Sequence, residues 1–136
     1  MGTVAATDGC YPGRAAIDAY GNGGFRFAGM SHRGSLLILP DRMCAWGVSS
    51  VADMSLASFA GVLAELAVAD PATSNRVPWF LLLGTGKVQV FPDADIRRAF
   101  IAARIGLEVM DTGAAARTYT ILLAEGRPVA AALIAV

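Results

Sequence analysis

Apolar and polar residues change in short blocks through the first third of the chain and in helical periods afterwards. The segment AAIDAYGNGGFRF (15–27) reads as two short strands around Gly-Asn-Gly-Gly, because Asn and Gly accept the positive φ of a tight hairpin turn. GSLLILP (34–40) makes a third strand, stopped by Pro40, and MCAWGV (43–48) a fourth. From Leu56 the period lengthens: Leu56, Phe59, Ala60, Leu63, Leu66 and Ala67 recur at three and four, which predicts a helix over 56–70 with Ser55 at its N-cap. PATSNRVP (71–78) is a polar connection. WFLLL (79–83) is apolar at five successive positions, the pattern of a strand covered on both faces at the centre of a sheet.

DADIRRAFIAARIG (93–106) predicts a second helix. Asp93 and Asp95 suit its positive N-terminal end, Arg104 suits the other, and Gly106 is placed to terminate it. LEVM (107–110) is a short strand. A third helix, GAAARTYTILLAEG (113–126), is capped from Thr112 after Asp111, with Ala115, Ala116, Tyr119, Leu122 and Leu123 as its buried stripe. Pro128 opens a last strand, VAAALI. Strands followed by helix–strand–helix–strand–helix–strand require crossover connections, so the chain reads as α/β with at least partly parallel pairing. Residues 1–15 read as a flexible lead-in and 16–136 as one domain.

Composition narrows the function classes. Hydrophobic residues make up 55% of the 136 positions and charged ones 16%, a globular balance able to bury a core. Eleven basic residues against eleven acidic leave no bulk electrostatic case for nucleic acid or an anionic membrane. No apolar run approaches the ~18 residues of a membrane helix, and the N-terminus has no basic start followed by an apolar stretch. A soluble cytoplasmic protein without direct membrane insertion is expected. Cys10, Cys44 and the single His32 have no metal-site spacing, so no metal is expected and the cysteines read as free, partly buried thiols.

Gly84-Thr85-Gly86-Lys87 invites a phosphate-loop reading. A Walker loop would need Gly where Leu81 stands and a hydroxyl where Val88 stands; a dinucleotide fingerprint would need a small residue at Gln89. The next segment, VQVF, reads as continuing extended, with the next helix starting only near Asp93, so the stretch reads as a sharp turn at a strand end, and no nucleotide or other cofactor is expected. In the third helix, Thr118 and Glu125 share a face. Glu125 is unfavourable in a last turn unless Arg117, Arg127 or a ligand compensates it. Two readings are open: a structural Arg117–Glu125 pair, or a polar pocket for a small ligand or an unrecognised enzyme reaction. That pocket would comprise Gly84, Thr85, Gly86, Arg117, Thr118, Glu125 and Arg127. No catalytic motif accompanies it, so catalytic residues are not assigned and the non-catalytic reading is preferred.

The segments IDAYGNGGFRFAGMSHRGSLLILP, Trp46, LLLGTG, GLEVMDTGAAARTYTILLAEGR and VAAALI, taken together, resemble the small Mth-type domain family, over residues 16–136. The chain departs from it at Thr120, where such sequences usually carry Asn. The resemblance implies a three-layer α/β domain with a mixed central sheet. It implies no established reaction. Because the family includes a mitochondrial assembly factor of respiratory complex I, it implies an accessory or assembly role with protein partners, among them components of respiratory or other inner-membrane complexes. It does not fix an oligomeric state.

Overall fold

The computed structural model describes residues 9–67 and 78–136. The polar connection expected at 71–78 and the tail of the helix expected to reach residue 70 fall almost wholly outside them. Among the described residues, nine strands form two sheets: β1 Cys10–Pro12, β2 Ala19–Gly21, β3 Gly24–Phe27, β4 Met30–Arg33, β5 Leu36–Ile38, β6 Arg42–Ala45, β7 Phe80–Gly84, β8 Gly106–Met110 and β9 Val129–Leu133. Three α-helices accompany them: α1 Ala60–Leu66, α2 Ala94–Ala103 and α3 Thr112–Ala124. The main sheet runs β1-β6-β5-β9-β7-β8, antiparallel through β9 and parallel across β9, β7 and β8. It is the mixed sheet of a three-layer α/β domain.

The alternation of side chains along β7 and β9 explains the layers. Leu81, Leu83, Ala130 and Ala132 point to one face, where Phe59 and Leu66 from the segment that includes α1 and Ile96 and Phe100 from α2 complete a core. Leu82, Val129, Ala131 and Leu133 point to the other, against Ala115, Ala116 and Tyr119 of α3 and Phe25 and Phe27 of β3. Both strands are apolar at successive positions because both faces are covered. Phe59 and Phe100 stack edge to face with centroids 5.5 Å apart and are fully buried, so truncating either to Ala should cost about 3–5 kcal/mol.

The small sheet β2-β3-β4 rests on two tight turns. Asn22 and Gly23 both have positive φ (52° and 79°), as do Ala28 and Gly29 (52° and 73°), the condition for the two-residue hairpin turn whose twist matches its strands. The first turn was legible from Asn-Gly; the second, with Ala in a left-handed conformation, and β4 with it, were not. The sheet is tied to the chain end by Gly23 N–H donating to Val136 O at 2.7 Å.

Several expectations are corrected. Cys10–Pro12, assigned to a loose lead-in, forms an edge strand on β6. Cys10 lies opposite Cys44 in that pair, and the two are joined as a disulfide rather than remaining free thiols; among the described residues there is no free cysteine. The first turn of helix one is 3-10, over Leu56–Phe59, so the buried stripe becomes Phe59, Val62 and Leu66 while Leu56 is exposed. Ser58 Oγ, not only Ser55, takes part in that start, accepting from Ser55 N at 3.1 Å. Helix α2 ends at Arg104, which adopts the left-handed conformation (φ 58°), and Gly106 instead opens β8. Glycine is needed there because a Cβ would come within 2.8 Å of Phe80 Cβ on the neighbouring strand. The cap of α3 is Asp111, whose Oδ1 accepts from Ala114 N at 2.9 Å, with Thr112 the first helical residue.

Candidate functional site

The Gly-Thr-Gly turn sits where β7 ends, beside the start of α3. Gly84 packs so closely that a Cβ would lie 2.9 Å from Thr112 Cα. Thr85 N donates to Met110 O at 2.9 Å. Thr85 Oγ1 donates to Val88 O at 2.7 Å, with Met110 O at 3.1 Å sharing the proton, and accepts from Val90 N at 3.0 Å. Gly86, at φ 105°, donates from its N–H to Thr112 Oγ1 at 2.9 Å, and Thr112 Oγ1 donates in turn to Ile134 O at 2.7 Å. Thr112 N completes the closure by donating to Gly86 O at 2.8 Å. Thr112 is fully buried, so these bonds exclude water and fix the turn. Residues 88–91 leave it as irregular backbone rather than extended strand, and a helix begins only after Asp93.

The other expected pocket residues do not converge on that turn. Thr118 Oγ1 meets Met110 Sδ at 3.7 Å, one to two helical turns along α3. Arg117 does not pair with Glu125. Its Nη1 donates to Tyr20 Oη on β2 at 2.6 Å, while Glu125, at the far end of α3, lies 3.7 Å from Arg127 in an exposed pair. Eight residues separate Arg117 from Glu125, a rise of about 12 Å, and Glu125 stands roughly 20 Å along the axis from Thr112. The set Gly84, Thr85, Gly86, Arg117, Thr118, Glu125 and Arg127 therefore falls into a turn, a helix face and a helix end.

Thr120 has a defined task. Its Oγ1 accepts from Ile17 N at 3.0 Å and stands 3.5 Å from Ile17 O, clipping the segment before β2 onto α3. Tyr119 makes the parallel tie, donating to Ala15 O at 2.9 Å, and burial pushes its phenol up to about 12, against a smaller opposing effect of Arg14. Arg42 forms a two-pronged bond to Glu65 at 2.8 and 2.9 Å, joining β6 to α1; that bond first, and Asp41 second, hold the guanidinium above its ordinary range.

Two surfaces were missed from sequence. The first is the loop after the turn. Val88 and Phe91 are more than half exposed and Val90 over a third, beside exposed Lys87, with Arg97 stacked 5.7 Å from the Phe91 ring. The second is a cleft of about 660 Å³ on the small sheet, lined by residues that include Tyr20, Arg26, His32 and Arg33. His32 is buried and satisfied: Nε2 faces Ser35 O at 3.0 Å, which can only accept, so Nε2 carries the proton and Nδ1 accepts from Tyr11 Oη at 3.1 Å. The alternation in GFRF was the available signal for Arg26; Arg33 joins the same face only through the register of β4 on β3. Among the described residues no group of three His, Cys, Asp or Glu is placed to hold a metal.

A family model described as a protein of unknown function (DUF498/DUF598) matches residues 17–134, and the chain belongs to that family. It is 34% identical to an uncharacterized protein of Rhodobacter capsulatus, over 91% of this chain and 87% of that one. It is 29% identical to mouse NADH dehydrogenase (ubiquinone) 1 alpha subcomplex assembly factor 3, over 91% of this chain; it spans 62% of the mouse protein's length. Among solved structures, an outer membrane protein of Bartonella henselae superposes with TM-score 0.79 at 40% identity, covering 92% of this chain and 98% of that one. A Bordetella pertussis protein described as a Mth938-like domain gives TM-score 0.71 at 32% identity, covering 98% and 90%.

Proposed function

We propose that the chain is a non-catalytic interaction module that assists the assembly of a multi-subunit complex, and that residues 87–91 are its contact surface. The observation that carries this reading is the loop itself. Three apolar side chains are presented to solvent from a backbone fixed by Thr85 and Thr112, so little ordering cost remains to be met on binding. Apolar residues framed by Lys87 and Arg97 suit a partner with an apolar centre and an acidic rim. Similarity to the mouse assembly factor supports the same class of role, with components of a respiratory or other inner-membrane complex as partners. The competing reading, a ligand pocket around the Gly-Thr-Gly turn, is disfavoured because the Thr85 hydroxyl and the Thr85 and Gly86 amides are occupied internally.

The test compares the parent with Val88→Ser/Phe91→Ser by thermal melting and by quantitative co-purification with subunits of the host's respiratory complexes. Unchanged melting with loss of a co-purifying subunit is expected; retention of every such subunit would refute the assignment. No helix among the described residues is long and apolar enough to cross a membrane. A cytoplasmic location belongs to the same proposal, and the state of Cys10 and Cys44 in the host tests it: the pair should be largely reduced there and bridged in an oxidising compartment.

A further inference from the structure

We infer that the cleft on the small sheet binds a small molecule carrying an oxyanion, phosphate or carboxylate. This goes beyond the interaction role and uses a different surface. Register places Arg26 opposite Ser31 and Arg33 opposite Gly24, so the two arginines stand diagonally on one face of adjacent strands, roughly 7 Å apart at their Cβ atoms. Like charges so placed repel, and among the described residues neither guanidinium has an ion pair or side-chain hydrogen bond to offset it. Among the described residues no acidic side chain lines the cleft, although the chain as a whole is neutral. Two guanidinium forks with free donors match the paired oxygens of a phosphoryl or carboxylate group.

The surroundings fit the rest of such a ligand. The same face of β2 and β3 carries only Ala19, Gly21 and Gly24 beside Arg26, which leaves a bare floor under the arginines. Gly24 cannot carry a side chain, since a Cβ would fall 2.2 Å from His32 O. Tyr20, Phe25 and His32 alternate to the other face, where Phe25 packs into the core, so no bulky side chain of β2 or β3 crowds the arginines. The volume, about 660 Å³, lies in the range of small-molecule sites. The hairpin that bears the cleft is anchored at the end of the segment after β9, near the carboxyl ends of the parallel strands, where open α/β sheets place ligands.

The test is an amide-resolved NMR titration of the parent with phenyl phosphate, benzoate and phenol. Saturable shifts confined to residues 19–26 and 31–33 are expected with one or both anions, and the tighter anion identifies the group. Phenol should bind at least tenfold more weakly. Arg26→Ala and Arg33→Ala should each weaken anion binding about ten- to a hundredfold, the worth of a charge-assisted bond, while Arg26→Lys and Arg33→Lys retain part of it. Arg98→Ala, on α2, should change nothing. The arginines are exposed, so these variants should fold, which their unperturbed spectra would show. Absence of saturable shifts, equal binding of phenol, or equal affinity in the Arg26→Ala/Arg33→Ala double variant would overturn the assignment.

Discussion

Arg117 and Tyr20, 97 positions apart, meet at 2.6 Å, guanidinium to phenol oxygen, and through this bond α3 holds the small sheet. The pair replaces the Arg117–Glu125 tie that helical spacing suggested. A double-mutant cycle on Tyr20→Phe and Arg117→Ala should return a coupling of about 0.5–1.5 kcal/mol, whereas a cycle on Arg117→Ala and Glu125→Gln should be additive. Each single change should cost no more than about 1.5 kcal/mol, because the groups are exposed. Urea unfolding of the five variants decides between the two pairings.

Thr112 carries two buried bonds at once, so Thr112→Val should strand both Gly86 N–H and Ile134 O. The expected loss is about 2–4 kcal/mol with the fold retained, measured by chemical denaturation. A change near zero would mean that the turn is not held from α3.

The Cys10–Cys44 bond closes a sequence separation of 34 and fastens β1 to the sheet. In oxidised protein, Cys10→Ser/Cys44→Ser or full reduction should lower stability by about 2–4 kcal/mol. Alkylation under denaturing conditions and then mass measurement should find neither thiol modified in the oxidised protein and both modified after reduction.

Tyr119 sets a dependence on alkaline pH. Its phenol ionises at about 12 in the folded protein and near 10 in the unfolded chain, because burial opposes the charge. Between these values the unfolded chain gives up a proton that the folded protein keeps. The stabilisation is therefore whole below pH 10 and is lost as pH rises to 12, a fall of about 2–3 kcal/mol. Tyr119→Phe should remove this part of the slope at a cost of about 1 kcal/mol for the lost bond to Ala15 O. Denaturant midpoints for the two proteins across that range supply the check.

Locality decided which features were legible in the sequence. β7 and β9 announced themselves because burial on both faces makes every position apolar, and the Asn22-Gly23 turn because its φ requirement selects those residues. β1 and β4 are short, and His32 is buried only because Tyr11 and Ser35 satisfy it across the fold, so no periodicity marks them. Gly106 read as a helix terminator although the reason for it is Phe80, a contact 26 residues away in the chain. The Gly-Thr-Gly stretch was correctly read as a turn, but its function as a clamp for an apolar loop depends on Thr112, which spacing cannot supply. The charges of α3 were visible; their partners, set by Tyr20 and Arg127, were not.

The central claim, that the loop held by Thr85 and Thr112 is the surface that meets a partner protein, is tested most directly by site-specific photo-crosslinking in the native host. A crosslinkable residue would replace Val88 or Phe91 in the loop, or Ile101, which is similarly exposed on α2. Positions 88 and 91 should capture the same subunit of a membrane complex, and position 101 should not. Capture from 101 alone, or equal capture from all three, would contradict the claim.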